Sequence, residues 1–382
     1  MPGAPILFDA SRLIWRQWTR RLPTGIDRVC LAYLKHFHSD ARAVVQFRRL
    51  RRILGRKDSN RLFDLLLRGS TNFRSELVKT LAIAILEAEP ITAGQIYLNV
   101  GHTGLNSPRI EAWFNRHRLR PVYLIHDLIP ITYPQYCREG EAARHQQRME
   151  TALRSARGLI FNSAATERDF ARFARERGVA LPPRLVALLG IDTKPATATP
   201  MSEKRPYFVM IGTIEARKNH LLLLEAWRDI VAKLGNAAPA LFIIGQRGWE
   251  AGEAIAILND RGPLEGYVHE ISACDDDRMG RLLGGARAML MPSFVEGFGL
   301  PVIEALQQGV PVIASDLPVF REIAGNIPTY LDPLDRAAWA HAVIDYTSES
   351  AERRRQLGAA RQFKAPGWES HFSMVEDFLE TL

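Results

Sequence analysis

Short apolar runs recur along almost the whole chain, and most of them stop at a small or polar residue and give way to a helix-length stretch. Gln95–Val100 ends in Gly101-His102-Thr103-Gly104, Pro121–Ile125 in His126-Asp127, and Leu159–Phe161 in Asn162-Ser163. The second half repeats the pattern: Tyr207–Ile211 ends in Gly212, Leu241–Ile244 in Gly245, and Ala288–Met291 in Pro292-Ser293. Between them lie helical stretches such as Glu141–Ser155, Thr166–Arg177 and Leu221–Leu234, the last with Leu221, Leu224, Trp227 and Ile230 on one face. Strands alternating with helices make a doubly wound parallel sheet, and ligands then bind outside the carboxyl ends of the strands.

With 382 residues the chain is long enough for two such domains. The Pro-, Thr- and Ala-rich stretch 194–206 reads as the linker, so the expected domains are 1–193 and 207–365, followed by a terminal helix within 366–382. Three scattered cysteines suggest neither a disulfide framework nor a zinc cluster, which fits a reducing cytoplasm. The N-terminus carries too short an apolar run for a signal peptide, and no stretch approaches the ~18 apolar residues of a membrane span. Charge is uneven: residues 1–190 hold 31 Lys and Arg against 16 Asp and Glu, whereas the remainder holds 19 against 26. Only the first half is expected to face an anionic partner.

The stretch Ser293–Glu304, SFVEGFGLPVIE, concentrates chemistry. Gly297 and Gly299 make a turn after a buried strand. Pro301 suits the first positions of a helix, since its missing N–H would be unpaired there. Backbone amides and a helix N-terminus therefore converge on an anion site. Glu296 lies in the loop, and Glu304 is expected on the first helical turn. Each glutamate alone could be a solvated surface residue; the glycines, the proline and two carboxylates together point to a ligand. Upstream, Gly212-Thr213-Ile214-Glu215-Ala216-Arg217-Lys218-Asn219-His220 follows a strand and places two cations where a diphosphate could lie. Near the N-terminus, an Arg- and Trp-rich stretch after the first strand reads as a loop, Thr24 can cap a helix beginning about Ile26, and Gly25 lets a ligand approach the backbone. Residues 61–88 look helical, and Val186–Leu189 reads as the last strand of the first half.

Glu296, seven residues, then Glu304, with Phe298-Gly299-Leu300-Pro301 between, resembles the signature of the retaining GT-B glycosyltransferases of family four. The Gly-Thr…Arg-Lys-Asn string resembles the same family. The resemblance implies two Rossmann-like domains facing a central cleft, with a final helix from Trp368 crossing back onto the first domain. It implies a nucleotide-sugar donor held by Gly25, Gly212, Arg217, Lys218, Ile271, Ser272, Glu296, Gly297, Phe298, Gly299, Leu300 and Glu304. In that reading Glu296 contacts sugar hydroxyls, Glu304 holds the ribose, and Arg217 and Lys218 neutralise the leaving diphosphate. His126 would lie at the reacting centre with His102 as a second candidate, and no metal or other cofactor would be required.

Asp275-Asp276-Asp277 superficially matches a metal-binding Asp-x-Asp, but these acids precede a helix at Met279–Gly284 and suit its N-terminus. Arg42–Lys57 is a basic, partly amphipathic segment that could be a solvated surface, an anionic membrane contact or a site for a lipid-diphosphate acceptor. No nucleic-acid motif accompanies it. The resemblance implies a hexosyltransferase of cell-surface polysaccharide synthesis, and with the basic first half it suggests a cytoplasmic protein peripheral on the inner face of the membrane. Its donor would be GDP-mannose or a UDP- or dTDP-sugar, and its acceptor a glycan or polyprenyl-diphosphate-linked sugar. A non-catalytic nucleotide- or glycan-binding protein of the same fold is the alternative from another class. An epimerase or phosphorylase is a third, the latter weakened by the lack of a pyridoxal-phosphate lysine pattern.

Overall fold

The computed structural model describes residues 6–20, 24–47, 50–84, 90–191, 201, 203 and 205–382. It divides into two compact units, one made of Met1–Leu128, Ala143–Leu189 and Trp368–Leu382, the other of Ile129–Ala142 and Gly190–Gly367. Most of the expected linker 194–206 lies outside the described residues, as do Arg21, Pro23, Arg48, Arg49 and Ile85.

The first unit is built on seven strands: β1 (Ile6–Asp9), β2 (Ala41–Phe47), β3 (Leu50–Ile53), β4 (Ile96–Asn99), β5 (Arg120–Ile125), β6 (Gly158–Phe161) and β7 (Arg184–Val186). Their order is β3-β2-β1-β4-β5-β6-β7. All neighbours pair in parallel except β2 and β3, which form an antiparallel pair. The central strands are buried throughout, as a sheet covered on both faces requires.

The second unit has β8 (Tyr207–Ile211), β9 (Ala240–Ile244), β10 (Val268–Ile271), β11 (Met289–Met291), β12 (Val312–Ser315) and β13 (Thr329–Leu331), all parallel, in the order β10-β9-β8-β11-β12-β13. This is the doubly wound Rossmann order, and its direction reverses between β8 and β11. The helix His220–Leu234 buries more than the one face expected: Leu222, Leu223, Leu224, Ala226, Trp227 and Ile230 are all buried. It packs on the helix Arg336–Thr347 as well as on the sheet. The Trp227 indole donates to Pro239 O at 3.0 Å, so the ring enters the core with its polar atom satisfied.

Several local expectations change. The Arg- and Trp-rich stretch after β1, expected as a loop, is the helix Ser11–Trp18, started where the Asp9 carboxylate accepts the Ser11 N–H at 3.0 Å. The basic segment 42–57 is mostly the β2–β3 pair. Over its described residues the helical stretch 61–88 forms two helices. Arg56–Arg68 ends at Gly69, whose φ of +62° reverses the chain, and Phe73–Ala84 follows. The strand expected at Val186–Leu189 is Arg184–Val186.

The C-terminal helix Trp368–Thr381 groups with the first unit. His371 is fully buried there, donating from Nδ1 to Leu188 O at 3.0 Å and accepting the Tyr33 hydroxyl at Nε2 at 2.8 Å. Ile129–Ala142, read as part of the first domain, groups instead with the second unit. The Tyr136 ring stacks on Phe294 with centroids 5.2 Å apart, and Arg138 lies over the Trp249 ring at 4.6 Å.

Candidate active site

The loops leaving β8 and β11, the two strands that flank the order reversal in the second unit, converge on one cluster of charge. The β8 loop carries Arg217 and Lys218 in a short 3-10 turn, and the β11 loop carries Ser293 and Glu296. Phe294 N–H donates to Arg217 O at 2.8 Å and ties the two loops together through the backbone. Lys218 Nζ lies 2.6 Å from Glu296 Oε1, and Arg217 Nη1 lies 2.6 Å from Glu296 Oε2. Ser293 Oγ also donates to Oε1, at 2.8 Å. Arg217 reaches Glu215 at 2.7 Å with its other Nη.

Burial alone would raise the Glu296 pKa, but the charges of Arg217 and Lys218 override it and hold the carboxyl at about 2. Glu296 is therefore an anion at every working pH, able to accept hydrogen bonds and unable to act as an acid. Glu215 is raised, because its burial outweighs the same two cations. The pairing leaves an assembly of two carboxylates and two cations, mostly out of water, at the carboxyl edge of the sheet.

Two glycines make this possible. Gly212, at φ +143°, has Lys218 laid across it, and a Cβ there would sit 2.8 Å from Lys218 Cε. Gly299, at φ +106°, packs against Phe320, and a Cβ would meet that ring at 2.6 Å. Because Gly299 is left-handed it is the N-cap itself, and the helix begins at Leu300 with Pro301 in its first turn. Glu304 thus falls in the second turn rather than the first, partly buried. A favourable place beside the helix N-terminus therefore does not by itself account for it.

Gly212, Arg217, Lys218, Glu296 and the Gly297–Leu300 turn are brought together. Ile271 and Ser272 lie at the carboxyl end of the edge strand β10, two strands from β8, with Gly245 N–H donating to Ile271 O at 3.0 Å. Sequence reasoning missed Glu215 and Ser293. The signal for Glu215 lay in its place between Gly212 and Arg217 on a loop already singled out. An aspartate caps the helix expected at Met279–Gly284, Asp275 accepting the Arg278 N–H at 2.7 Å, but the helix begins at Asp276 rather than Met279 and takes Asp276 and Asp277 into its first turn. Among the described residues no group of three or more His, Cys, Asp or Glu is placed to hold a metal ion.

The first unit holds Gly25 and His126. Gly25 is exposed and opens the helix Gly25–Phe37, with Thr24 as its N-cap. The Asp27 carboxylate accepts the Thr24 N–H at 2.7 Å and the Nε of Arg12 and Arg16 at 2.6 and 2.5 Å. His126, just past β5, is 4% exposed and donates from Nε2 to Val100 O at 2.7 Å, which leaves Nδ1 as the acceptor. His102 donates to Leu124 O at 2.7 Å, its ring centroid 5.4 Å from that of His126. Burial pushes His126 down to about 4 and lowers His102 well below the usual imidazole value.

Both histidines are therefore neutral at physiological pH. A buried base with a depressed folded pKa contributes its stability fully above the unfolded value near 6.5, and loses it as pH falls toward the folded value. Between pH 6.5 and 4 the melting temperature is expected to fall, and His126→Gln should flatten that slope. An unchanged slope in a thermal melt series would show that the imidazole does not carry it.

Residues 195–363, which include Arg217, Lys218 and the whole Ser293–Glu304 stretch, match the family model described as Glycosyl transferases group 1. The O-antigen chain mannosyltransferase B of Escherichia coli is 29% identical over 290 residues, covering 69% of this chain and 75% of that protein. The serotype-specific mannosyltransferase WbdA of the same organism is 30% identical over 240 residues, 59% of this chain but only 29% of that longer protein. The crystal structure of Anabaena Alr3699/HepE in complex with UDP-glucose superposes with a TM-score of 0.68 over 100% of both chains at 16% identity, a likeness of fold. The chain has the GT-B fold, and its residues 195–363 match the group 1 glycosyltransferase domain.

Proposed function

We propose that the chain is a retaining, metal-independent mannosyltransferase that uses GDP-mannose, with UDP- and dTDP-sugars as the competing donors. Its acceptor would be a glycan or a polyprenyl-diphosphate-linked sugar in cell-surface polysaccharide synthesis. The observation that carries this reading is the Arg217–Lys218–Glu296 assembly at the carboxyl ends of β8 and β11. The relatives named as mannosyltransferases support the sugar.

The chemistry asks three things of this assembly. Charge building on the leaving diphosphate needs fixed positive groups, which Arg217, Lys218 and the Gly297–Leu300 amides supply. Two side-chain cations at that place can take over the neutralising task that a divalent ion performs elsewhere. The sugar must be oriented, and the permanently ionised Glu296 can accept its hydroxyls. Glu304 would hold the ribose, and His126 would serve the sugar or acceptor as a neutral hydrogen-bonding group. Among the described residues we assign no carboxylate as a covalent nucleophile, which favours front-face attack, the leaving phosphate taking the acceptor's proton.

The proposed place of work is the cytoplasmic face of the membrane, held peripherally by the basic first half. Among the described residues no helix is long and apolar enough to cross a membrane. The test is thermal stability with GDP, UDP, dTDP and ADP and their sugars in the presence of a chelator. A ligand that binds only the folded state must raise its melting point. GDP and GDP-mannose are expected to give the largest shift, and slow hydrolysis of that donor would distinguish an enzyme from a binder. No shift with any nucleotide would sink the reading.

A further inference from the structure

Between Arg42 and Lys57 the chain carries six arginines and a lysine and no acidic residue. The structure separates these charges by role. Arg42 is 3% exposed and spends its guanidinium on Leu54 O and Pro90 O, so it belongs to the framework. Arg51 turns back to Gln46 Oε1 at 2.9 Å, and Gln46 bonds to Asp9 and Tyr97 in the interior. The β2–β3 hairpin is thus pinned to the sheet from one face.

Its other face is different. Antiparallel pairing sets Phe47 opposite Leu50 and Val45 opposite Arg52, and these four share the outward side. Phe47 is 66% and Leu50 68% exposed, at the tip of the outermost strand pair of the sheet. Two large apolar side chains side by side at a tip, with an exposed arginine one step back, are costly to leave in water. The adjoining helix Ser11–Trp18 begins beside the hairpin, where Ser11 Oγ accepts the Gln46 N–H at 2.8 Å, and it carries the exposed Trp15 and Trp18 with Arg16. Indole rings flanked by arginine suit the headgroup layer of a bilayer.

We propose that the β2–β3 hairpin is the element that docks the protein on an anionic membrane: Phe47 and Leu50 enter the boundary between headgroups and acyl chains, and Arg52 holds headgroup phosphates. Trp15 and Trp18 add a second, shallower contact. The inference rests on the membrane-facing part of the proposed function and gives it a structural basis. Charge decides the occupant. A second copy meeting this edge across a two-fold axis would bring like charges together, whereas an anionic lipid surface attracts each arginine.

The experiment is flotation of the full chain with vesicles of phosphatidylglycerol and phosphatidylcholine, and with phosphatidylcholine alone. The wild type is expected to float only with the anionic vesicles. Phe47→Ser combined with Leu50→Ser should lower the partition by about tenfold or more, and Arg52→Glu by at least about fivefold. Arg175→Glu, the same charge change on an exposed residue away from the hairpin, should leave it within about twofold. Melting temperatures should coincide for all four proteins, since the substituted side chains are exposed.

Equal flotation with neutral vesicles, unchanged flotation of the hairpin variants, or an equal loss in Arg175→Glu would overturn the proposal. So would binding to a single-stranded RNA without binding to vesicles. Hydrolysis of the soluble donor, followed in the same proteins, is expected to be unaffected. A wild type that floats but never turns over a donor would overturn the transferase reading and leave this one standing.

Discussion

Replacing Glu296 by alanine is expected to lower kcat/KM by about 10²–10³, the loss typical of removing one electrostatic group aimed at a transition state. The carboxylate is 7% exposed and saturated with strong partners: Lys218 Nζ and Ser293 Oγ on one oxygen, Arg217 Nη1 on the other. Its removal does two things. It takes away the anion that would orient the sugar, and it leaves Lys218 without its carboxylate while Arg217 keeps Glu215. Breaking a buried pair from one side costs about 3–5 kcal/mol when both partners are dry, and less here because Arg217 retains 22% exposure. The variant should therefore melt somewhat lower yet remain folded.

Glu296→Gln discriminates between the two effects. It keeps the shape and one acceptor oxygen but loses the charge, so retained turnover would assign Glu296 to hydrogen bonding, and lost turnover to charge placement. Asp276→Ala, in the first turn of the helix Asp276–Gly284, is the control and should leave activity unchanged. Full activity in Glu296→Ala, measured as transfer or as donor hydrolysis, would remove this cluster from the catalytic site.

The parts of this arrangement that could be read in the sequence are those fixed by local rules. Apolar runs of strand length ending at Gly, His or Asn gave nearly every interior strand, because a sheet buried on both faces admits no polar alternation. Gly299-Leu300-Pro301 announced a helix start, since only glycine takes the φ of +106° found there without strain. The run Asp275-Asp276-Asp277 announced a capped helix, because a carboxylate there can accept a free amide, as Asp275 does from Arg278. What stayed hidden depends on contacts between distant segments.

Ser11–Trp18 has a polar composition that reads as a loop, and it is helical because Leu13 is buried and Asp9 starts the turn. Ile129–Ala142 follows first-half strands in sequence, yet Tyr136, Phe294 and Trp249 draw it to the second unit. The basic stretch 42–57 shows no clean alternation, because Arg42 and Arg51 point inward, where backbone and side-chain acceptors receive them. Glu215 is marked in the sequence only by its place between Gly212 and Arg217. Its importance appears only when Arg217 is seen to hold two carboxylates at once.

Lys218→Ala is expected to reduce kcat by about 10²-fold and to weaken nucleoside diphosphate binding in parallel. Lys218 is 7% exposed, unusually buried for a lysine, and its stem lies flat against Gly212 with no room for a Cβ. A chain this confined can present its ammonium in only one direction, toward Glu296 and the space beyond the two loops. An arriving diphosphate offers more negative charge than one carboxylate, so it should compete with Glu296 for the ammonium and leave the carboxylate free to receive sugar hydroxyls. On this account the ion pair is the resting form of the site, and the donor exchanges its partners. Gly212→Ala should then mimic Lys218→Ala, because a Cβ at 2.8 Å from Lys218 Cε displaces the same side chain. The Lys218→Ala and Glu296→Ala losses should also be strongly non-additive, since each removes the partner that the other exchanges. Additive losses in kcat/KM, with nucleoside diphosphate affinity untouched in Lys218→Ala, would mean that the two side chains act on separate parts of the donor and that the pair seen between them is only structural.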